Sequence, residues 1–191
     1  PDSQKYAKVD FPSYFFLNFE HIIHFTKSDF GNLAKSYGFK LLQTNDYLKC
    51  NSYFVINGIF ENGGNIEKLI YTDETKKAIE GYLKYSKEKL IPVIKQLEDS
   101  QEELILWGIG ASTAQLLNDT FDKCNAIQLI DNNPSRQGIE FIISDKKMTV
   151  EAPSSVNSMD ATIVVLPIMY KKSIIEQIQA LGFKNKIMTL E

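Results

Sequence analysis

Cysteine, histidine and long apolar runs are all scarce in this sequence of 191 residues. The two cysteines, Cys50 and Cys124, lie too far apart to form a metal-binding or redox motif. No apolar run approaches the roughly 18 residues that span a bilayer, and no charged-then-apolar leader opens the sequence. The net charge of -3 lacks the basic excess expected of a nucleic-acid-binding domain. These absences predict a cytoplasmic protein with neither a membrane nor a nucleic acid as partner.

The first part of the chain contains one clear helix signal followed by two β-rich segments. Thr26 is suited to be the N-cap of a helix over Lys27–Tyr37, which Gly38 would end. Phe39–Tyr47 and Ser52–Phe60 then have the composition of strands. A helix followed by two adjacent strands is typical of the end of a class I methyltransferase domain.

The second part of the chain alternates between strand and helix signals. An apolar stripe predicts a long helix over Asp73–Leu97. Beyond it the pattern predicts the strands and helices Leu104–Trp107, Ala111–Leu117, Ala126–Ile130, Ala161–Leu166, Lys171–Leu181 and Ile187–Leu190. Strands alternating with helices at this spacing favour a parallel sheet covered on both faces, which is a Rossmann-like α/β fold.

A glycine turn, Gly108-Ile109-Gly110, follows the first of these strands directly. Glycines in this context let a phosphate approach the N-terminus of the following helix. Asp131, at the end of the next strand, is placed to accept a hydrogen bond from a ribose hydroxyl. Thr113 stands at the third glycine position of the dinucleotide fingerprint, so the turn departs from the pattern that an NAD site requires. Gly108, Gly110 and Asp131 are therefore candidate ligand-binding residues, with glycines that only form the turn as the alternative.

The residues around the glycine turn resemble a known family. Three segments resemble the C-terminal domain of nucleotide-sugar C-methyltransferases: Leu104–Gly110, Leu129–Pro134 with Gly138, and Val164–Pro167 before a helix. The same arrangement resembles the nucleotide-sugar-binding domain of some sugar acetyltransferases. The resemblance covers about residues 101–191 and implies a nucleotide-linked sugar as substrate.

A Glu-His pair near the start of the chain resembles a segment of the same methyltransferase family. Phe19–Thr26, followed by Gly38-Phe39, is similar to the "EHI-x-x-F-[ST] … GF" segment near the end of the catalytic domain. The resemblance implies that His21 is the general base, with Glu20 beside it at the methyl-acceptor site. An imidazole is suited to removing a proton next to a sugar ketone at neutral pH. His24 is expected to be a packed residue with one nitrogen hydrogen-bonded, and metal binding by the histidines is not expected because further ligands are lacking.

The resemblance divides the chain into three regions. Residues 1–65 correspond to the end of the methyltransferase domain, 66–100 to a connecting helix and 101–191 to the Rossmann-like domain. S-adenosylmethionine (SAM) is the cofactor of the parent enzyme, but in the family its glycine-rich loop precedes the Glu-His pair. The sequence opens with Pro1, and we expect a fragment that carries no cofactor and does not methylate by itself.

Two other functions stay open. The chain can be a stand-alone nucleotide or nucleotide-sugar binding module, or a structural unit whose glycines bind no ligand. The partners implied by the main interpretation are the nucleotide-sugar and the missing N-terminal half, and the exposed stripe of the connecting helix would allow a homodimer. The sugar, the nucleotide and the methylated atom are not specified by the sequence.

Overall fold

The structure, a computed structural model, describes residues 3, 6, 17, 23–45, 56–70, 72–110, 113, 117, 121, 123–143, 145–167 and 169–190. The chain divides into two compact units, with the boundary between Tyr85 and Ser86. The described residues up to Tyr85, except Leu17, belong to the first unit, and the others belong to the second. None of the helices in the described ranges combines the length and apolar character that crossing a membrane requires.

The first unit contains a helix and an antiparallel strand pair. Helix α1 (Lys27–Ser36) begins where Thr26 Oγ1 accepts a hydrogen bond from the Asp29 amide, 3.1 Å away. It ends before Gly38, whose positive φ of 75° suits glycine. Strands β1 (Phe39–Asn45) and β2 (Asn57–Asn62) follow and pair antiparallel. The predicted helix is confirmed to within one residue, and the first predicted strand is confirmed over Phe39–Asn45. The second, predicted over Ser52–Phe60, is observed at Asn57–Asn62, and residues 46–55 lie outside the described part.

Helix α2 (Glu74–Ser100) is the longest element and contributes to both units. It runs through Pro92 without interruption, and its bounds differ from the predicted Asp73–Leu97 by one and three residues. In the first unit its Tyr82 is buried against the ring of Tyr6, with 5.3 Å between ring centroids. In the second unit its Leu90, Ile94 and Leu97 belong to the hydrophobic core. The apolar stripe in the sequence therefore corresponds to two successive buried faces.

The second unit is built on a mixed six-stranded sheet. Its elements are β3 (Leu104–Trp107), β4 (Ala126–Ile130), β5 (Glu140–Ile143), β6 (Lys146–Glu151), a 3-10 turn (Pro153–Ser155), β7 (Thr162–Val165), α3 (Lys171–Ala180) and β8 (Ile187–Thr189). The strand order is β5-β6-β4-β3-β7-β8. All neighbours pair parallel except β5 and β6, which form an antiparallel hairpin. The prediction of a wholly parallel sheet is therefore wrong at this edge, where the hairpin was not predicted.

The central strands of the sheet are buried on both faces, as the sequence predicts. Leu104 and Leu106 of β3 point into the core that contains the α2 residues, whereas Ile105 and Trp107 pack with Ile174 and Ile178 of α3. Alternate side chains of a strand point to opposite faces, and all four residues of β3 are fully buried. A strand that is apolar throughout is what such a sandwiched position requires.

Strand β3 is the point at which the order of the parallel strands reverses. The chain goes from β3 to β4 on one side, and later returns to β7 on the other side. Because the three strands are parallel, their carboxyl ends lie at the same edge, where the glycine turn, Asp131 and Pro167 follow them. The predicted helix Ala111–Leu117 after the turn is described only at Thr113 and Leu117, and both are helical.

Candidate functional site

The position of Gly108 in the glycine turn admits no side chain. Its φ is +93°, and a Cβ atom added there would lie 2.2 Å from Cγ and 2.3 Å from Cδ of Pro167. Its amide donates to the carbonyl of Ile130, 2.7 Å away, across the end of β4. Gly108 is therefore required by the close approach of the three strand ends.

The side chain of Thr113 is hydrogen-bonded to both glycines of the turn. Its hydroxyl oxygen lies 2.6 Å from the amide nitrogen of Gly110, which donates to it, and 2.9 Å from the carbonyl oxygen of Gly108. The residue is buried. Replacement of the third fingerprint glycine by threonine thus adds a side chain that fixes the turn. Both glycine N–H groups donate within the protein.

Asp131 lies at the carboxyl end of β4, next to the turn in the sheet, and is nine-tenths buried. Its amide donates to the carbonyl of Glu151 at 3.1 Å, which holds the backbone to the end of β6. Its Oδ1 accepts from the amide of Asn133 at 2.7 Å, the geometry of an Asx turn. The carboxylate therefore lies at the edge of the sheet where ligands of open α/β sheets bind.

Arg136 approaches the glycine turn from the loop that Asp131 begins. Its Nη1 donates to the carbonyl oxygen of Ile109, 2.7 Å away, and lies 2.8 Å from where a Cβ of Gly110 would be. Sequence reasoning did not select this residue. A signal was present, because Arg136 is the only arginine in the sequence.

The structure thus brings the predicted residues of the second unit to one edge. The amide of Gly108 donates to the carbonyl of Ile130, the residue directly before Asp131, and Arg136 joins the loop to the turn by donating to the carbonyl of Ile109. This arrangement combines a carboxylate, a guanidinium and a turn without side chains. A carboxylate can accept from hydroxyls, and a guanidinium can donate to an anion.

The predicted catalytic pair, Glu20 and His21, lies outside the described residues. The neighbouring His24 is described and is half-buried. Its Nδ1 is hydrogen-bonded to the hydroxyl of Tyr6, and the two rings meet edge to face with centroids 5.8 Å apart. This agrees with the prediction that His24 is a packed residue with one nitrogen hydrogen-bonded.

The first unit contains a cavity of about 500 Å³ next to His24. Its walls are mostly apolar and include Phe25, Leu33 and Ile79. Within the described part of the chain, no three histidine, cysteine, aspartate or glutamate side chains are grouped as a metal site would require. Two acids, Asp29 and Glu80, line the cavity together with Lys76. The contacts of Asp29, which lies next to the start of α1, show what this part of the wall offers a ligand.

Asp29 forms hydrogen bonds with three threonines. Its Oδ1 accepts from the hydroxyl of Thr72 and its Oδ2 from the hydroxyl of Thr75, each at 2.5 Å, and its amide donates to Thr26. Burial raises the pKa of Asp29, but the hydrogen bonds from Thr72, Thr75 and Thr26 outweigh it and hold the pKa below its ordinary value of 3.8. The carboxylate therefore ties the start of α1 to the start of α2. The edge of the second sheet is the better candidate for a ligand site.

In comparisons with known proteins, no family model matches the chain, and no curated protein does so either. The geometry of the site and the motifs in the sequence are therefore what indicate a function.

Proposed function

We propose that the second unit has a Rossmann-like fold and binds the nucleotide part of a nucleotide-linked sugar. In this proposal the chain is the C-terminal part of a SAM-dependent C-methyltransferase. In this proposal Asp131 binds the ligand, and the glycine turn of Gly108 and Gly110 is the side-chain-free backbone against which the ligand lies. The observation that carries the proposal is the position of both features at the carboxyl ends of adjacent parallel strands.

The strand order supports a nucleotide ligand over a purely structural role. Numbered along the chain, the five parallel strands β3, β4, β6, β7 and β8 lie in the order 3-2-1-4-5. Doubly wound nucleotide-binding sheets have this order and bind their ligand where it reverses. Here the reversal is at β3, and the glycine turn is the first segment after it. The antiparallel β5 replaces the usual crossover helix between β4 and β6, at the edge distant from β3.

In the intact enzyme, the residues of this chain would act on the acceptor side of methyl transfer. SAM would supply the methyl group from a binding site outside this chain. His21 would remove the proton from the carbon next to the sugar ketone, with Glu20 nearby to stabilise the imidazolium. Such proton removal contributes about 10²- to 10⁴-fold to a rate when base and proton are in hydrogen-bond reach. The second unit would hold the nucleotide and thereby position the sugar.

Calorimetric titration of the chain with TDP-sugars, UDP-sugars, NAD and SAM tests the proposal. We expect heat from a nucleotide-sugar and none from SAM. Asp131→Asn retains an oxygen that can accept from the Asn133 amide, but it removes the charge. The substitution should weaken nucleotide-sugar binding about tenfold, since hydrogen bonds to charged groups contribute about 1.5–3 kcal/mol.

Asp160→Asn is the matched control for Asp131→Asn. Asp160 is exposed and precedes β7, at the opposite edge of the sheet, so removing its charge should leave the affinity unchanged. Heat from NAD alone would refute the sugar-nucleotide proposal and indicate an oxidoreductase-like module. The second candidate function is a stand-alone nucleotide-sugar binding module, and the location of the whole site within one unit favours it. Nucleotide-sugar binding by a chain that is shown not to be part of a methyltransferase would support this second candidate.

A further inference from the structure

Two observations at the glycine turn bear on how a nucleotide's phosphates would be held. The amides of Gly108 and Gly110 donate to Ile130 and Thr113, so neither glycine offers the N–H group that usually receives a phosphate. The cationic side chain of Arg136 lies against the same turn. The usual backbone donors are occupied and a side-chain donor is next to them.

Most N–H donors of the Arg136 guanidinium have no acceptor among the described residues. A guanidinium carries five N–H donors. Within the described residues, the one hydrogen bond of this side chain is the 2.7 Å bond from Nη1 to the carbonyl oxygen of Ile109, and no carboxylate forms an ion pair with it. The side chain is half-buried, so part of it faces solvent. A partly desolvated cation with no acidic partner favours an anion as ligand.

The loop before β5 fixes Arg136 in this position by a series of hydrogen bonds. Asp131 accepts from Asn133, and Asn133 Oδ1 accepts from the amide of Ser135 at 3.1 Å. The amide of Arg136 donates to the Asn133 carbonyl at 2.9 Å, and Gln137 Nε2 donates to the Asp131 carbonyl at 3.0 Å. The same loop therefore presents both the carboxylate and the guanidinium.

An arginine at position 136 also fits the role of binding a phosphate group. The sequence has 21 lysines and arginines, and the one arginine among them is Arg136. Arginine offers a planar pair of donors that matches two phosphate oxygens, whereas lysine is a point charge. We propose that Arg136, and not the N–H groups of Gly108 and Gly110, binds the diphosphate of the nucleotide-linked ligand. This inference rests on the proposed function and names the residue that recognises the anionic part of the substrate.

Gly110 is part of this site because it leaves room for the guanidinium. A methyl group at Gly110 would lie 2.8 Å from Arg136 Nη1 and 3.5 Å from its Cζ. The atoms that would have to move are the end of a flexible side chain, so Gly110→Ala should fold but displace the guanidinium. It is thus a second variant that acts on Arg136 without removing its charge.

The test compares uridine and thymidine with their 5′-diphosphates by titration of the full chain. In the unmodified chain the diphosphate should bind at least tenfold more tightly than the nucleoside. Arg136→Gln should abolish that gain and leave nucleoside affinity unchanged, and Gly110→Ala should reduce it. The expected loss of about tenfold or more follows from the strength of charge-assisted hydrogen bonds.

Lys184→Gln is the charge-matched control. Lys184 is exposed and precedes β8, at the opposite edge of the sheet, so its removal should leave the diphosphate gain intact. A diphosphate gain that survives in Arg136→Gln would overturn the inference while the proposed nucleotide binding stands. Equal affinity of nucleoside and diphosphate in the unmodified chain would overturn it too. Absence of binding by all four ligands would refute both the inference and the proposed function.

Discussion

Replacing Gly108 by alanine should destabilise the second unit more than the same change at another glycine with positive φ. The left-handed conformation costs an L residue about 1–2 kcal/mol. The new Cβ would also lie 2.2 Å from Pro167 Cγ, where carbon atoms in contact are normally about 3.5–4.0 Å apart. Relieving such overlap costs about 1–3 kcal/mol, because the proline ring is rigid. Together the two effects lower the free energy of unfolding by about 2–5 kcal/mol.

Gly138→Ala is the matched control, since Gly138 has φ +86° and nothing within 4 Å of an added Cβ. It should cost only the conformational part, about 1–2 kcal/mol. Urea unfolding followed by fluorescence measures both, because Trp107 is the only tryptophan and is fully buried in the second unit. Adding Pro167→Ala, which removes the overlapping Cγ and Cδ atoms, should reduce the effect of Gly108→Ala to that of Gly138→Ala. Equal midpoints for Gly108→Ala and Gly138→Ala, with no rescue, would refute the packing argument.

Three further predictions concern hydrogen-bonded polar side chains. Asp29→Ala should lower the stability of the first unit by about 1–3 kcal/mol, since two threonine hydroxyls lose an ionised acceptor, and circular dichroism during thermal unfolding would detect it. Folding lowers the pKa of Asp29, so its contribution to the free energy of unfolding is complete above the ordinary value of 3.8 and declines as the pH falls through the folded pKa. The stability difference between the unmodified chain and Asp29→Asn should therefore shrink over that acidic range. A stability difference that is independent of pH would contradict this. Asn185→Ala should destabilise the second unit by about 1–3 kcal/mol, because Nδ2 donates to the carbonyls of Ser158 and Ala161 in a buried position, and an unchanged urea midpoint by Trp107 fluorescence would argue against it.

Local signals account for the parts of the fold that the sequence predicts well. Thr26 and Gly38 mark the ends of α1 because capping involves only neighbouring residues. The apolar run of β3 indicates a strand buried on both faces, as observed. The β5–β6 hairpin was missed because its turn contains no glycine, and Asp145 adopts φ +59° there instead. Exposed lysines at the start of β6 also hide the strand pattern.

The candidate site was predictable only in part, because some of its residues are identified by local spacing and others by contacts between distant parts of the chain. Gly108, Gly110 and Asp131 are found from their spacing relative to strands. Arg136 acts through a carbonyl 27 residues earlier in the chain, a contact that depends on which strands are neighbours. Thr113 was interpreted as a departure from a fingerprint, whereas its hydroxyl fixes the turn.

The central claim, that a nucleotide-sugar binds at the carboxyl edge of β3 and β4, is tested most directly by mapping amide chemical shifts during titration. The chain of 21.8 kDa is small enough for heteronuclear spectra with uniform nitrogen labelling. Addition of a TDP- or UDP-sugar should shift the amides of Gly110, Asp131 and Arg136 together with one saturation curve. Amides at the opposite edge, such as those of Asp160 and Lys184, should stay in place. Shifts confined to the first unit, or no shift at saturating ligand, would contradict the account.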